Sequence, residues 1–342
     1  MVKKNIKPAQ KPKTLPKANP KKKNYLDKLD SRIIESIVKD PRISIKKLAR
    51  SAGCSEQVAS YRLNRLISRG IIGMLNAVVN MNYLGFEHYR IFFKLKKVDP
   101  DSIRKVCEFF ESCWGVYNVT TLGGKYDLFV NVFVRNYLDY DDFIDSCYTH
   151  FPEIIGEIDD VYVKNYYIYP FKHMLPEGQG IGKAISIPVS YKTVTIDEID
   201  KQILDNLSSN CRLTSVDLSN IIRVNYKTIL YRIKGLEEKN IIKGYHVFVD
   251  DKVYKQYFVV FSLGSYYKET ETKIFNYLSV HPLICSATKQ FGKWQLMVTV
   301  NARDENEVKA FIINFREQFK NVRDYEVLPV TKTYYVNMFP HY

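Results

Sequence analysis

Apolar side chains recur at Leu29, Ile33, Ile34 and Ile37, the spacing of one face of a helix, and Asp40-Pro41 ends that run. Ser44 is placed to cap a short second helix through Arg50, and Gly53 supplies a turn. Ser55 caps a third helix that runs to Arg69, before Gly70. Three helices with a tight turn between the last two describe a helix-turn-helix. The following stretch "IIGMLNAVVNM" alternates loosely and is rich in Val and Ile, as a wing hairpin or strand would be. From residue 87 the period changes. "YRIFFKLKKV" reads as a strand, 101–112 as a helix, "VYNVTTL" and "YDLFVNVFV" as a hairpin around Gly123-Gly124, 137–149 as a helix and "VYVKNYYIY" as a last strand. The order β-α-β-β-α-β predicts a four-stranded antiparallel sheet with both helices on one face.

The same pattern occurs twice. "VASYRLNRLISRGII" from Val58 and "TILYRIKGLEEKNII" from Thr228 share Tyr-Arg, a Leu and a closing Ile-Ile. A shift of 170 aligns Asp27 with Asp197, Asp30 with Asp200, Arg42 with Arg212, Leu48 with Leu218 and Arg62 with Arg232. Further on the shift is 168, matching Gly124-Lys125 to Gly292-Lys293 and Phe151 to Phe319. A unit of this length is one or two domains rather than a solenoid repeat. The expected organisation is an arm (1–24), a first winged helix-turn-helix (25–82), a first βαββαβ domain (87–171), a linker (172–193), a second winged helix-turn-helix (194–252) and a second βαββαβ domain (254–342). The fold class is therefore α+β, with two winged helix-turn-helix domains alternating with two ferredoxin-like βαββαβ domains.

Charge sharpens this picture. Formal net charge is +14, and residues 1–24 supply nine Lys and four Pro with no acid, so that arm cannot bury enough apolar surface to fold alone. Residues 30–70 carry nine basic and four acidic side chains; residues 200–240 carry seven and five. A polyanionic partner is expected, with the first unit the more basic. The cysteines (Cys54, Cys107, Cys113, Cys147, Cys211 and Cys285) form no CxxC pair or zinc spacing and read as reduced thiols of a cytosolic protein. No apolar run approaches a membrane span and the start lacks a signal-peptide core, so no membrane association is expected. The histidines are scattered, and neither HExxH, GxSxG nor a phosphate loop is present, so no catalytic residues, metal or cofactor are assigned.

The string "D-x-x-D-x-x-I-(I/L)" opens the first helix of each unit, "R-(L/I)-x-x-L" lies on the third, and "G-K-Y-D-L" stands at the first hairpin. In that order, and twice, these motifs resemble the Lrp/AsnC (feast/famine) family of transcriptional regulators. The resemblance covers nearly everything except the arm and linker. It implies a sequence-specific regulator, cytoplasmic and nucleoid-associated, that binds double-stranded DNA. Family members usually carry one unit and dimerise through the sheet domain; this chain resembles such a dimer fused into one polypeptide. An intramolecular pseudo-dimer paired through its sheets is expected, with further self-association on other surfaces left open. One branch resembling the family decarboxylates sirohaem, which keeps His88 and His281 in view for a tetrapyrrole, and RNA binding on the Tyr-rich sheet is a third reading.

A recognition helix needs an apolar face to seat it and an outer face with donors for base edges and phosphates. In the first unit Val58, Ala59, Leu63 and Leu66 are expected inside, with Ser55, Gln57, Ser60, Tyr61, Arg62, Asn64 and Arg65 as DNA-binding candidates. Arg62 and Arg232 could equally pair with Asp30 and Asp200. The second unit offers Asn225, Tyr226, Lys227, Tyr231 and Lys234. Because Leu230 and Gly235 stand where the first unit has Ser60 and Arg65, weaker DNA binding or a partly structural role is expected there. The resemblance also places an amino acid or related effector near the sheet turn, at Gly123, Gly124, Tyr126 and Asp127, where freed amides could hold a carboxylate and the acid an amino group. Gln295 stands opposite Asp127, so the second copy is expected to lack this site.

Overall fold

The computed structural model describes residues 26–171, 184–190, 192–249, 254–264, 268–336 and 339. The arm and residues 172–183 of the expected linker lie outside the described residues.

The first helices, α1 (Lys28–Lys39), α2 (Ile45–Ala52) and α3 (Glu56–Ser68), begin where side-chain oxygens meet unpaired amides. Asp27 accepts from the amides of Leu29 and Asp30, Ser44 from Lys47, and Ser55 from Val58. Gly53, at φ 73°, ends α2 in the left-handed conformation that a glycine adopts without strain. The second unit repeats this with α6 (Glu198–Ser209), α7 (Ser215–Ile222) and α8 (Tyr226–Glu238), capped by Asp197, Thr214 and Asn225.

Each trio is followed by a single strand rather than a hairpin: β1 (Ile72–Val79) and β7 (Ile242–Val249) pair antiparallel with each other. That ribbon completes both helical cores. Ile72, Leu75 and Val247 pack with Ile33, Leu48 and Leu63 of the first trio, while Ala77, Val79 and Ile242 pack with Ile203, Leu218 and Ile233 of the second. Two arginines fasten the trios reciprocally. Arg212 donates to the carbonyls of Pro41 and Ile43 at 2.9 and 3.1 Å, and Arg42 donates to the Tyr245 hydroxyl at 2.9 Å.

The first βαββαβ unit consists of β2 (Glu87–Leu95), α4 (Pro100–Ser112), β3 (Val116–Leu122), β4 (Leu128–Val134), α5 (Tyr137–His150) and β5 (Ile155–Ile168). The second consists of β8 (Lys255–Leu263), α9 (Lys268–Val280), β9 (Ile284–Gly292), β10 (Leu296–Ala302), α10 (Glu305–Gln318) and β11 (Val322–Val336). Their sheets join at both edges. The pairing order β2-β4-β3-β11-β8-β10-β9-β5 returns from β5 to β2, closing an eight-stranded antiparallel barrel. The long strands make the corners. β5 pairs with β2 over its first part and with β9 over its second, and β11 does likewise with β8 and β3. Phe92, Phe129, Phe258, Trp294 and Leu328 pack between the sheets, and the helices cover the outside. Part of the expected linker is itself ordered as β6 (Ile185–Pro188), paired with Asn165–Ile168.

Candidate nucleic-acid interface and sensory turn

On α3, Ala59, Leu63 and Leu66 are buried against α1 and α2, while Gln57, Tyr61 and Asn64 are exposed and Ser60 is half-buried. Val58 departs from its expected place. It is 39% exposed on the outer face, because the seat of the helix is filled by the other three residues. Ser55 is exposed, with its hydroxyl committed to the helix cap.

The two arginines of α3 turn back onto α1. Arg62 donates to Asp27 and, at 3.1 Å, to Asp30; Arg65 donates to Asp30 at 2.6 Å. The Asp30 side chain is fully buried, so its charge depends on these partners. Asp27 is held below the usual carboxylate range by the Asp30 amide and then by Arg62, while the Arg62 guanidinium is raised chiefly by Asp27. Arg62 and Arg65 are thus engaged within the protein, correcting the outward placement expected of Arg65. Sequence reasoning passed over Lys46, Lys47 and Arg50 of α2, which are exposed beside the turn. The adjacent lysines of "IKKLAR" carried the signal.

On α8, Lys227, Tyr231 and Lys234 are exposed and the Asn225 side chain accepts from the Lys227 amide. Arg232 repeats the clamp, reaching Asp197 at 2.6 Å and Asp200 at 3.3 Å. Gly235 occupies the position of Arg65, so Asp200 receives one arginine where Asp30 receives two. Lys234 lies 3.5 Å from Glu238. Val216, Ile221 and Leu230 are exposed where the first unit has Lys46, Ser51 and Ser60, which makes the second outer face markedly more apolar.

At the sheet turn, Gly123 donates its amide to the Pro329 carbonyl at 2.8 Å, and Gly124 adopts φ 91°. Tyr126 is buried: its hydroxyl donates to Asp159 and accepts from the Trp294 indole at 3.1 Å. Asp159 also receives Lys293 from the other half. The Asp127 carboxylate is already engaged, since it accepts the Leu95 amide at 2.8 Å and lies 3.1 Å from Lys94. Gln295 performs the same task, accepting the Leu263 amide at 2.8 Å. The exchange of Asp127 for Gln295 therefore preserves a strand-end hydrogen bond, and the loss of a ligand-binding acid expected in the second copy does not follow from it. Beside Gly124, a cavity of about 230 Å³ is lined by Tyr257, Glu305, Lys309, Val327 and Pro329 of the other half.

Residues 26–72 and 196–243 match the family model described as winged helix-turn-helix DNA-binding. An HTH-type transcriptional regulator of Pyrococcus horikoshii is 32% identical over 114 residues, which is 32% of this chain and 75% of the relative. Another, of Pyrococcus furiosus, is 28% identical over 123 residues, covering 36% and 80%. Among solved structures, the siroheme decarboxylase NirDL aligns over 92% of this chain and 95% of its own at a TM-score of 0.62 and 15% identity, a likeness of fold alone. No helix among the described residues is long and apolar enough to cross a membrane. The repeated helix-turn-helix and its curated relatives agree: the chain belongs to the winged helix-turn-helix transcriptional regulators.

Proposed function

We propose that the protein regulates transcription by sequence-specific binding to double-stranded DNA, and that α3 contributes more of the recognition than α8. The observation that carries this reading is the pair of exposed third helices held in one frame by the β1–β7 ribbon and the Arg42 and Arg212 contacts. Gln57, Ser60, Tyr61 and Asn64 supply hydrogen-bonding groups for base edges, and Lys46, Lys47 and Arg50 supply charge for phosphates. Arg62 and Arg65 set the angle of the helix from behind. On the second side Lys227, Tyr231 and Lys234 remain for backbone contact, beside the apolar Leu230. Selection from random duplexes followed by titration tests this: a recovered consensus supports it, and an absence of enrichment over many rounds overturns it.

We further propose that an amino-acid-class effector occupies the cavity at the Gly123-Gly124 turn. Glu305 and Lys309 offer the opposite charges a zwitterion requires. A thermal-shift panel of the amino acids, with Glu305→Gln and Lys309→Met as controls, tests this placement. The tetrapyrrole alternative draws on the whole-chain likeness to NirDL. The two candidate histidines of this chain stand apart, however: His88 is buried in the barrel against Tyr117, and half-buried His281 packs on Tyr277 and Phe311 of the outer helices. The RNA alternative needs an open sheet face, and the two sheets bury their inner faces against each other.

A further inference from the structure

Arg90 lies on β2 inside the barrel, only 4% exposed, and forms no ion pair with a carboxylate among the described residues. Its Nη1 lies 3.1 Å from the Met297 sulfur, a weak acceptor, and its guanidinium sits 5.0 Å from the centre of the Tyr166 ring. Its Nε has no protein acceptor. The strand register locates what lies between those contacts. Met297 on β10 stands opposite Thr288 on β9, and Thr288 stands opposite Tyr166 on β5. Thr288 thus falls between two of the residues the guanidinium touches; the guanidinium also meets the Tyr117 hydroxyl, a neutral partner, and the Phe129 ring at 5.9 Å. It is 0% exposed and its hydroxyl is unpartnered. Gln290, two residues along β9 and 3% exposed, has both amide atoms unpartnered.

A guanidinium carries its charge at any ordinary pH, and burying it without a counter-charge costs several kcal/mol or more. The neighbouring groups do not supply that charge. Burial raises the Tyr117 phenol far above its usual range and lowers His88 well below its own, so both are neutral. The pseudo-equivalent positions in the other half are Phe258 for Arg90 and Leu122 for Gln290, both apolar, so the arrangement occurs once.

We infer that Arg90, Thr288 and Gln290 hold one small monovalent anion inside the barrel, a halide or a carboxylate of formate size, which bridges the two halves. One negative charge balances one guanidinium, while the hydroxyl and amide N–H groups complete its shell. The Phe129 ring, 5.9 Å from the guanidinium, and Phe92, two residues along β2, leave room for nothing large. This site is independent of the DNA and effector readings.

The test uses the full chain in sodium gluconate, whose anion is too bulky to enter, with chloride or formate substituted at constant ionic strength. The melting temperature is expected to rise by about 5 °C and saturate. Arg90→Met should abolish the rise, whereas Arg104→Met, which removes the same charge from an exposed helix position, should leave it intact. Should Arg90→Met fail to fold, Gln290→Leu is expected to shift the midpoint at least tenfold, and bromide-grown wild-type crystals should show an anomalous peak beside Arg90. The chloride and formate arms distinguish halide from carboxylate. An anion response in Arg90→Met or Gln290→Leu equal to that of the wild type, no rise with either chloride or formate, or a chloride response with no bromide peak beside Arg90, would overturn the inference.

Discussion

Arg65 of α3 reaches back to Asp30 of α1, its Nη2 lying 2.6 Å from a carboxylate oxygen on a side chain with no exposure to solvent. A buried charge of this kind is costly to strand, so the pair sets where the recognition helix can sit. Asp30→Asn is expected to destabilise the fold by about 2–4 kcal/mol, the partial exposure of both arginines keeping the loss below that of a fully buried pair. Asp200→Asn should cost less, because one arginine approaches Asp200 and at the longer distance of 3.3 Å. Urea unfolding of both variants measures the difference; equal losses would show that the second arginine adds nothing.

The same contact changes what Arg65 does for DNA. A side chain that neutralises a phosphate releases counterions, so its removal lowers the slope of log affinity against log salt by about one. Arg65→Ala is expected to weaken binding with the slope unchanged, because it loosens the helix without removing a phosphate contact. Lys46→Ala, which alters an exposed residue, should lower the slope. Titrations at four salt concentrations distinguish the two effects, and a slope change in Arg65→Ala would restore it as a phosphate contact.

These contrasts mark how much the chain discloses. The six helix-turn-helix helices are legible because spacing and caps are local: Asp27, Ser44 and Ser55 announce their helices by chemistry that acts over three residues. The closure of the barrel is not, since pairings such as Leu122 with Val330 join positions far apart in sequence. Length was underread, since "VYVKNYYIY" marks only nine residues for the last strand. β5 and β11 run 14 and 15 residues against seven to nine for their neighbours within the barrel, enough to serve two sheets each. Arg65 misled because a helical projection shows which residues face outward but not how far a long side chain folds back. For Asp127 the strand-end role was hidden, because a carboxylate that accepts the Leu95 amide across 32 residues leaves no local pattern in the sequence.

Stability should fall on mild acidification. His246 is buried in the β1–β7 ribbon beside Phe171, and burial lowers its pKa from 6.5 to about 4; His88 is likewise lowered, by burial and then by Arg90. Both are neutral when folded but gain protons in the unfolded chain near pH 6.5, so their contribution is complete above that pH and is lost as pH falls towards the folded values. For His246 the loss between pH 6.5 and 4 is on the order of 3 kcal/mol. His246→Gln should flatten the profile of unfolding free energy against pH in that window. An unchanged profile would place the acid sensitivity elsewhere.

Asp127 and Gln295 close equivalent strand ends with equal 2.8 Å bonds to the amides of Leu95 and Leu263. A side-chain carbonyl serves that amide as a carboxylate does, so Asp127→Gln should change stability by less than about 1 kcal/mol. Asp127→Ala leaves the Leu95 amide without its acceptor at a half-buried strand end, and should cost about 1–3 kcal/mol. If Asp127 instead holds an effector's amino group, the ordering reverses in a ligand assay: Asp127→Gln would keep its stability and lose the effector response. With the effector in the cavity of Glu305 and Lys309, Asp127→Gln should show the same ligand-induced thermal shift as the wild type, and Lys309→Met should lose it. Running both variants against the same amino-acid panel therefore decides which end of the turn carries the ligand.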